Sequence, residues 1–145
     1  MQTHIKPWPA PGTVVSVAAG PLGLFRHVGI VSGRCSSDMP MVISNSARAR
    51  QVAEEPWPVF SAGTEVRVLA RQPELGGWAV VEQARSLLGK PWDLLGYNCE
   101  HFVAEACGEP IESMQLRRWG AAAAIIAVIA IINAAGKGSG RPALS

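Results

Sequence analysis

A cysteine stands at the start of a predicted helix in residues 96–103 (GYNCEHFV). Asn98 is a favoured helix N-cap residue, so Cys99 would be the first helical residue after it. Free N–H groups and the positive end of the helix dipole favour an anion there, so a thiolate of Cys99 is expected to have a lowered pKa and would be a usable nucleophile. The alternative is structural: Cys99 shares an apolar stripe with Phe102 and Val103, and free cysteines are among the most buried residues.

A nucleophilic thiol needs a base, and the chain has three histidines. His27 opens the apolar run HVGIV, and a residue at the end of a strand can face a helix N-terminus, so His27 is the candidate base. A hydrogen-bonded, half-buried histidine at a strand start is the alternative for it. His101 follows Cys99 by two residues and projects to another side of the helix, so we expect a solvated surface histidine there. His4 lies in the N-terminal segment and carries no predicted role.

The elements that must position these residues follow from hydropathy periodicity and turn signals. Apolar and β-branched runs predict four strands, at residues 12–18, 27–32, 41–45 and 64–70. The segment GRCSSDMP, between the second and third strands, predicts a hairpin loop. Apolar residues at three- and four-residue spacing predict one helix from about Trp78 to Leu88 and a second from Asn98. Because no regular βαβ alternation appears, the expected class is α+β, with a small antiparallel sheet packed on helices.

Two motifs together resemble a known enzyme family. HVGIVSG at residues 27–33 and NCEHFV at residues 98–103 occur in this order about seventy residues apart, and PGTVVSV at residues 11–17 resembles the family's first strand. The arrangement is similar to the lecithin:retinol acyltransferase (LRAT) family, which includes the HRAS-like phospholipase/acyltransferases. The resemblance runs over roughly residues 10 to 116. It implies a circularly permuted, NlpC-type papain-like fold.

Carried over position by position, the resemblance implies that Cys99 is the nucleophile and His27 the base. Many family members have a second histidine in the next strand, which orients the base, whereas this chain has MVISNS at residues 41–46. Ser44 occupies the aligned place. Asn45 is the better orienter by its chemistry, because an amide oxygen can accept from an imidazole N–H. Both residues remain candidates for the third catalytic position.

The implied activity is that of a thiol-dependent acyltransferase or phospholipase on phospholipids or other acyl lipids. Cys99 attacks a lipid ester, forms a thioester acyl-enzyme, and passes the acyl group to water, an amine or an alcohol, while N–H groups at the helix start hold the oxyanion. No cofactor is implied, and Cys99, His101 and Cys107 lack metal-ligand spacing. The alternatives are a peptidase or amidase of the same superfamily, and a catalytically silent membrane-associated module, which the missing second histidine favours.

Composition narrows the class of protein. At 145 residues, 48% hydrophobic and 17% charged, the chain suits one domain with a tail and argues against wholesale disorder. A net charge of +2 does not indicate a nucleic-acid partner. Three cysteines are a poor disulfide framework and suit a reducing compartment. Residues 1–12 lack an apolar core of signal-peptide length, so we expect a location at the cytoplasmic face of a membrane.

A C-terminal apolar segment begins where the composition changes near Arg117. Residues 120–135 contain one polar side chain, Asn133, and as a helix would be about 24 Å long, short of the ~30 Å hydrocarbon core. Trp119 and the flanking cations suit a membrane interface, so we expect an embedded helix rather than a full span, with packing on the domain or in a partner as the alternative. The predicted organisation is a thiol acyltransferase/hydrolase domain at 1–118, a membrane-contacting helix at 119–136 and a polar tail at 137–145.

Overall fold

The structure is a computed structural model that describes the backbone of residues 7–70 and 75–136, and the side chains of residues 7–70, 75–110 and 123–135. The chain divides into two compact units, Met1–Pro110 and Ile111–Ser145. The first unit contains both residues of the predicted chemical pair, Cys99 and His27. It is therefore the part of the molecule in which the site must be sought.

Five antiparallel strands form one sheet in the described part of the first unit. Valine and isoleucine fill most of the buried positions of its three central strands, as expected for a sheet covered on both faces. The strands are β1 (Val14–Ala19), β2 (Phe25–Ser36), β3 (Met39–Ser46), β4 (Gln51–Pro56) and β5 (Arg67–Val68). Their order across the sheet is β4-β3-β2-β1-β5. β2 is therefore the central strand, with β1 and β3 on either side.

Three short helices complete the described part of this unit. They are α1 (Trp57–Ser61), α2 (Gly77–Ser86) and α3 (Cys99–Ala106). α2 and α3 contact β2, while α1 contacts β3 and β4. α3 is followed by Gly108 in the left-handed region at φ 79°, and Pro110 comes two residues later, which together end the helix.

Buried side chains cover both faces of the sheet. On one face Val28 and Ile30 of β2 belong to a cluster with Phe102 of α3. The cluster on the other face is made of Val15, Val17, Val31, Val42 and Phe60. Because neighbouring residues of a strand point to opposite faces, His27 shares the face of Phe60, while Val28 shares the face of α3.

The predicted α+β class and small antiparallel sheet are confirmed. The strands predicted at 12–18, 27–32 and 41–45 correspond to β1, β2 and β3. The predicted loop over residues 33–40 is wrong in extent, because β2 and β3 continue to a tight turn at Ser37 and Asp38, which both have positive φ. The strand predicted at 64–70 is also too long, since only Arg67 and Val68 form β5.

The segment between β3 and β5 contains two elements that the sequence did not predict, β4 and α1. β4 carries Glu54 and Glu55 and ends in a proline, a composition that does not indicate a strand. The two carboxylates are compensated by ion pairs: Glu54 contacts Arg34 and Arg85, and Glu55 contacts Arg48. Tertiary charge pairing therefore overrides the local preference at this edge of the sheet.

The described part of the second unit is a single helix, α4 (Ile111–Gly136), of 26 residues. It begins at Ile111 rather than at the predicted boundary of 119. The side chains of residues 123–135 are exposed, and the isoleucines and valine among them are 53% to 68% exposed. Within the described residues, no helix has both the length and the apolar character needed to cross a membrane. The predicted polar tail at 137–145 lies outside the described residues.

Candidate active site

Helix α3 begins where the sequence predicts. Asn98 Oδ1 accepts hydrogen bonds from the N–H groups of Glu100 at 3.0 Å and His101 at 3.3 Å. His101 Nδ1 accepts in turn from the Asn98 N–H at 3.2 Å, which completes a capping box. The predicted cap at Asn98 and helix start at Cys99 are confirmed, and the reciprocal bonds fix the position of the cysteine backbone.

The predicted solvated surface position of His101 is wrong. Its side chain is only 5% exposed, and its ring stacks with that of Tyr97 at a centroid distance of 6.5 Å. The imidazole occupies the place of the Glu or Gln that usually closes a capping box. Its spacing of three residues from Asn98 is the sequence signal that could have identified this role.

Removing the cap is expected to destabilise the first unit. Asn98→Ala leaves two helix N–H groups without their acceptor and should lower the free energy of unfolding by about 0.5–2 kcal/mol. Urea unfolding followed by circular dichroism measures the change. Asn98→Asp is the matched control: its carboxylate oxygen keeps the cap and it loses only the bond from Nδ2 to the Leu94 carbonyl oxygen, so it should be destabilised less than Asn98→Ala. Equal stability of Asn98→Ala and the unchanged chain would contradict this role.

The Cys99 sulfur lies against an edge of β2 that β3 leaves open. β2 is still paired with β1 at His27, whereas its ladder with β3 ends at Ile30. In the open stretch the Cys99 thiol donates to the carbonyl oxygen of Arg26 across 3.9 Å, and the N–H of Val28 donates to the sulfur. Because His27 lies between Arg26 and Val28, the sulfur contacts the backbone group immediately before His27 and the one immediately after it.

The Cys99 thiol is protonated more firmly than an ordinary cysteine. Burial raises its pKa above the usual value of 9.0, and the charge of Glu100 raises the pKa further. N–H groups of Val28, Glu100 and Cys99 itself lower the pKa, but they do not offset the loss of solvation. The sequence-based expectation of a lowered pKa is therefore wrong, because the helix N-terminus is packed against a strand instead of facing solvent.

The His27 imidazole is partly buried and is contacted by two other side chains. Burial lowers its pKa below the usual 6.5, the Glu55 carboxylate raises the pKa, and the Arg48 guanidinium lowers it. Its Nε2 lies 3.2 Å from Ser44 Oγ, and the Phe60 ring packs beside it at a centroid distance of 5.2 Å. In the tautomer that carries its proton on Nε2, this nitrogen donates to the Ser44 hydroxyl and Nδ1 is the nitrogen that can accept a proton.

The structure brings Ser44, and not Asn45, to the imidazole. Asn45 lies on the opposite face of β3, where its Nδ2 donates to the carbonyl oxygen of Tyr97 at 2.9 Å. Its side chain is fully buried, and its Oδ1 accepts no hydrogen bond from the residues that the structure describes. The expectation that this amide oxygen accepts from His27 does not fit the geometry, because adjacent strand residues point to opposite faces.

Gly29 makes room for the ring that covers His27, a role that the sequence analysis did not identify. A Cβ at this position would lie 2.6 Å from Cγ1 of Val42 and 2.9 Å from Cε2 of Phe60. Without a side chain, Gly29 lets Phe60 approach the sheet on the same face as His27. The glycine two residues after the histidine in HVGIVSG was the available signal.

A cleft of about 330 Å³ opens beside the imidazole. Residues 17–20 and 59–62, except Ser61, form most of its wall, together with His27, Ser46, Arg48 and Glu55. Cys99 is not part of this wall: it is partly buried and packs with the cluster on the α3 face. His27 links the cleft to Cys99: its side chain lines the cleft, and its backbone lies between the two backbone groups that contact the sulfur.

A cluster of polar side chains joins the loop before Asn98 to helix α3. The Tyr97 hydroxyl donates to Glu105 Oε2 at 2.5 Å, and Lys90 Nζ lies 2.8 Å from the same oxygen. The ammonium also lies 3.7 Å from the centroid of the Tyr97 ring. Burial and the neighbouring carboxylate raise the pKa of the Tyr97 phenol, so it stays a hydrogen-bond donor. The sequence indicated none of these contacts, because they join residues on three different segments.

The other cysteines contribute no second site in the described residues. Cys107 is buried in the core and Cys35 is exposed. Among the residues described, no group of three His, Cys, Asp or Glu side chains is arranged to hold a metal ion. The chemistry available here is that of Cys99, His27 and Ser44.

Comparison with known proteins identifies no relative. No protein-family model matches the chain, and no curated protein matches it. The likeness carried by residues 27–33 and 98–103 therefore stays a resemblance, and the activity that it implies is a proposal.

Proposed function

We propose that the chain is a thiol-dependent acyltransferase or phospholipase of the LRAT type, with a permuted papain-like arrangement, acting on lipid esters. The observation that carries the proposal is the position of the Cys99 sulfur, at the first residue of a capped helix and against the backbone on both sides of His27. The hydrogen bond between His27 and Ser44 supports it further. In this proposal Ser44 takes the orienting position that a second histidine occupies in many members of the LRAT family.

The raised pKa of the thiol and the lowered pKa of the imidazole favour general-base catalysis over a resting ion pair. As the sulfur of Cys99 forms a bond to the ester carbonyl carbon, its proton passes to Nδ1 of His27. This step requires the imidazole, which packs on Phe60, to come within hydrogen-bond reach of the sulfur, a contact that the described side chains do not form. The tetrahedral oxyanion can be held by the Cys99 N–H, since the first N–H groups of a helix have no partner within the helix. Collapse breaks the carbon–oxygen bond, and the imidazolium returns the proton to the leaving alcohol. Water, an amine or an alcohol then attacks the thioester, takes the acyl group and releases the Cys99 thiol.

A lipid is the substrate class that the surroundings favour. The cleft beside His27 is walled largely by small and apolar residues of 17–20 and 59–62, which suit an acyl chain. The exposed isoleucines of α4 suit contact of residues 120–135 with a membrane surface. We place the protein at the cytoplasmic face of a membrane, where its substrate would be delivered in the bilayer.

Removing the Ser44 hydroxyl is expected to slow acylation moderately. One hydrogen bond contributes about 0.5–1.5 kcal/mol, so Ser44→Ala should reduce kcat/KM on a lipid ester by about threefold to tenfold. Ser16→Ala is the matched control, because Ser16 is also a buried strand serine but lies on β1. The comparison is made by initial rates on vesicles. An unchanged rate for Ser44→Ala would remove Ser44 from the mechanism.

A catalytically silent membrane module is the second candidate. Two observations favour it: the pKa of Cys99 is raised, and Cys99 does not line the cleft. In that case the fold and the membrane contact of residues 120–135 persist, and no acyl group is transferred.

Product analysis separates these functions. The full chain is incubated with vesicles of phosphatidylcholine carrying a labelled acyl chain, and in parallel with a peptide ester and a peptide amide. We expect lysophospholipid together with labelled fatty acid or acylated acceptor from the vesicles only. Cys99→Ser is the blank, and Cys35→Ser is the matched control that removes an exposed thiol and should keep full activity. Turnover of the peptides alone would establish a peptidase or amidase, and no turnover of any substrate would favour the silent module.

A further inference from the structure

Two loops on the first unit expose large apolar side chains. In the loop that leads into β2, Leu22 is 96% exposed and Leu24 is 74% exposed, and Phe25, the first residue of β2, is 64% exposed. In the loop before α3, Leu94 is 65% exposed and Leu95 is 77% exposed. Clustered exposed leucine and phenylalanine side chains are typical of a surface that contacts a partner or a membrane.

Both loops adjoin the proposed nucleophile. Phe25 precedes Arg26, whose carbonyl oxygen accepts from the Cys99 thiol. The carbonyl oxygen of Leu94 accepts from the side chain of Asn98, the residue before Cys99. Residues 22, 24, 25, 94 and 95, which we call the apolar rim, therefore belong to two segments whose backbones contact the start of α3.

Several backbone N–H groups of the two loops have acceptors within their own loop. Asp93 Oδ1 accepts from the N–H of Leu95 at 2.9 Å and from that of Gly96 at 2.7 Å. In the other loop, the N–H of Leu24 donates to the Pro21 carbonyl oxygen at 3.3 Å. These amides would otherwise have to be stripped of water on entering lipid, which is the main cost of burying loops in a membrane.

Two further features favour a lipid surface over a protein partner. Leu22 has a left-handed backbone, at φ 57°, within a 3-10 turn, and its side chain is almost fully exposed. Arg26 is exposed beside the rim and can reach lipid phosphates while its stem lies along apolar surface. Separate exposed side chains with a neighbouring cation suit shallow insertion into the headgroup layer of a membrane. A protein partner usually binds a contiguous surface instead.

We propose that the apolar rim inserts into the interfacial layer of a phospholipid membrane and brings Cys99 to the level of the lipid ester bonds. The inference deepens the proposed function and rests on it for the purpose of the insertion, although the insertion itself requires no chemistry. It assigns to the first unit a membrane contact distinct from that of residues 120–135.

Spin labels on the full chain test the insertion. In a background of Cys35→Ser and Cys99→Ser, with Cys107 fully buried, a label is placed at Leu22→Cys, at Leu94→Cys or at Asp38→Cys. Asp38 is the control, because it lies in the turn at the far end of β2 and β3. With phosphatidylcholine vesicles containing some phosphatidylserine, we expect the labels at 22 and 94 to gain oxygen accessibility and lose accessibility to a water-soluble nickel chelate. The label at 38 should remain accessible to nickel.

Three labelling results would contradict insertion of the apolar rim into the membrane. Labels at 22 and 94 that stay as accessible to nickel as the label at 38, or insertion of only one of them, would overturn the proposal. Spin–spin broadening without vesicles would overturn it as well, because the rim would then contact a second copy of the chain. Circular dichroism of each labelled protein confirms that it is folded.

A kinetic comparison separates failure of the rim from failure of the proposed function. Burying one leucine side chain in the membrane strengthens binding by about tenfold or more. The double variant Leu22→Ser with Leu94→Ser should therefore lose about tenfold in the rate of vesicle turnover for each leucine removed. Its turnover of a short-chain ester that is soluble as a monomer should be unchanged. Equal losses on both substrates would overturn the proposal, whereas no turnover of either substrate by the unchanged chain would contradict the enzymatic function and leave the label result to decide the insertion.

Discussion

Replacing His27 with alanine is expected to lower the rate of acyl-enzyme formation by about 10²- to 10⁴-fold. The reason is that the Cys99 thiol has a raised pKa, so few molecules carry a thiolate at neutral pH. Without the imidazole, the proton must leave to water before or during attack on the ester. The loss is measured as the single-turnover rate of acylation on a labelled lipid ester.

The pH dependence gives the same prediction a second readout. Only neutral His27 can accept the proton, and burial lowers its pKa below 6.5. The activity of the unchanged chain should therefore be constant around pH 7 and fall as the pH is lowered through the depressed pKa of the imidazole. In His27→Ala, the residual rate should instead rise steadily with pH toward the raised pKa of the thiol. Profiles of the same shape in both proteins would contradict the role of His27.

Added imidazole controls for structural damage in this variant. The cleft of about 330 Å³ beside His27 can admit a free imidazole once the side chain has been removed. We expect millimolar imidazole to restore part of the lost rate in His27→Ala and to have no effect on the unchanged chain. A variant that is folded but not rescued, and that loses less than threefold in rate, would show that His27 is not the base.

Phe102→Ala is expected to have the largest effect on stability. Phe102 is fully buried in α3, three residues after Cys99, and packs in the cluster that joins this helix to β2. Truncating a buried phenylalanine costs about 3–5 kcal/mol, a large share of the roughly 5–15 kcal/mol that stabilises an ordinary domain. The same change should release the helix start from the edge of β2. Urea unfolding measures the loss of stability.

Phe25→Ala is the matched control for this prediction. Phe25 is 64% exposed at the start of β2, so its truncation should change the free energy of unfolding by no more than about 0.5 kcal/mol. Comparable destabilisation by the two substitutions would mean that Phe102 does not anchor α3. A stable Phe102→Ala variant would contradict the packing described for this face of the sheet.

The parts of the site that depend on local sequence could be predicted. Asn98 and Cys99 at a helix start follow from cap chemistry, which acts over three or four residues. The strand that begins near His27 follows from the β-branched run after it. The choice between Ser44 and Asn45 could not be made locally, because it depends on which face of β3 meets His27, and a shift of one residue reverses the faces.

The electrostatics of the thiol could not be predicted for a related reason. The helix dipole and free N–H groups are visible in the sequence, and both lower the pKa of Cys99. The desolvation that outweighs them comes from packing against β2, from a segment about seventy residues away. Likewise, β4 has the composition of a loop, and its carboxylates are tolerated only because Arg34, Arg48 and Arg85 reach them.

Mass spectrometry of the acid-quenched chain during turnover of an acyl lipid is the most direct test of whether Cys99 is the nucleophile. The expected result is one acyl group on the peptide that contains Cys99, released by neutral hydroxylamine as a thioester should be. The adduct should be absent in Cys99→Ser and unchanged in Cys35→Ser. Consumption of the lipid with no acyl group on that peptide, or with the same adduct in Cys99→Ser, would contradict a thioester at this sulfur.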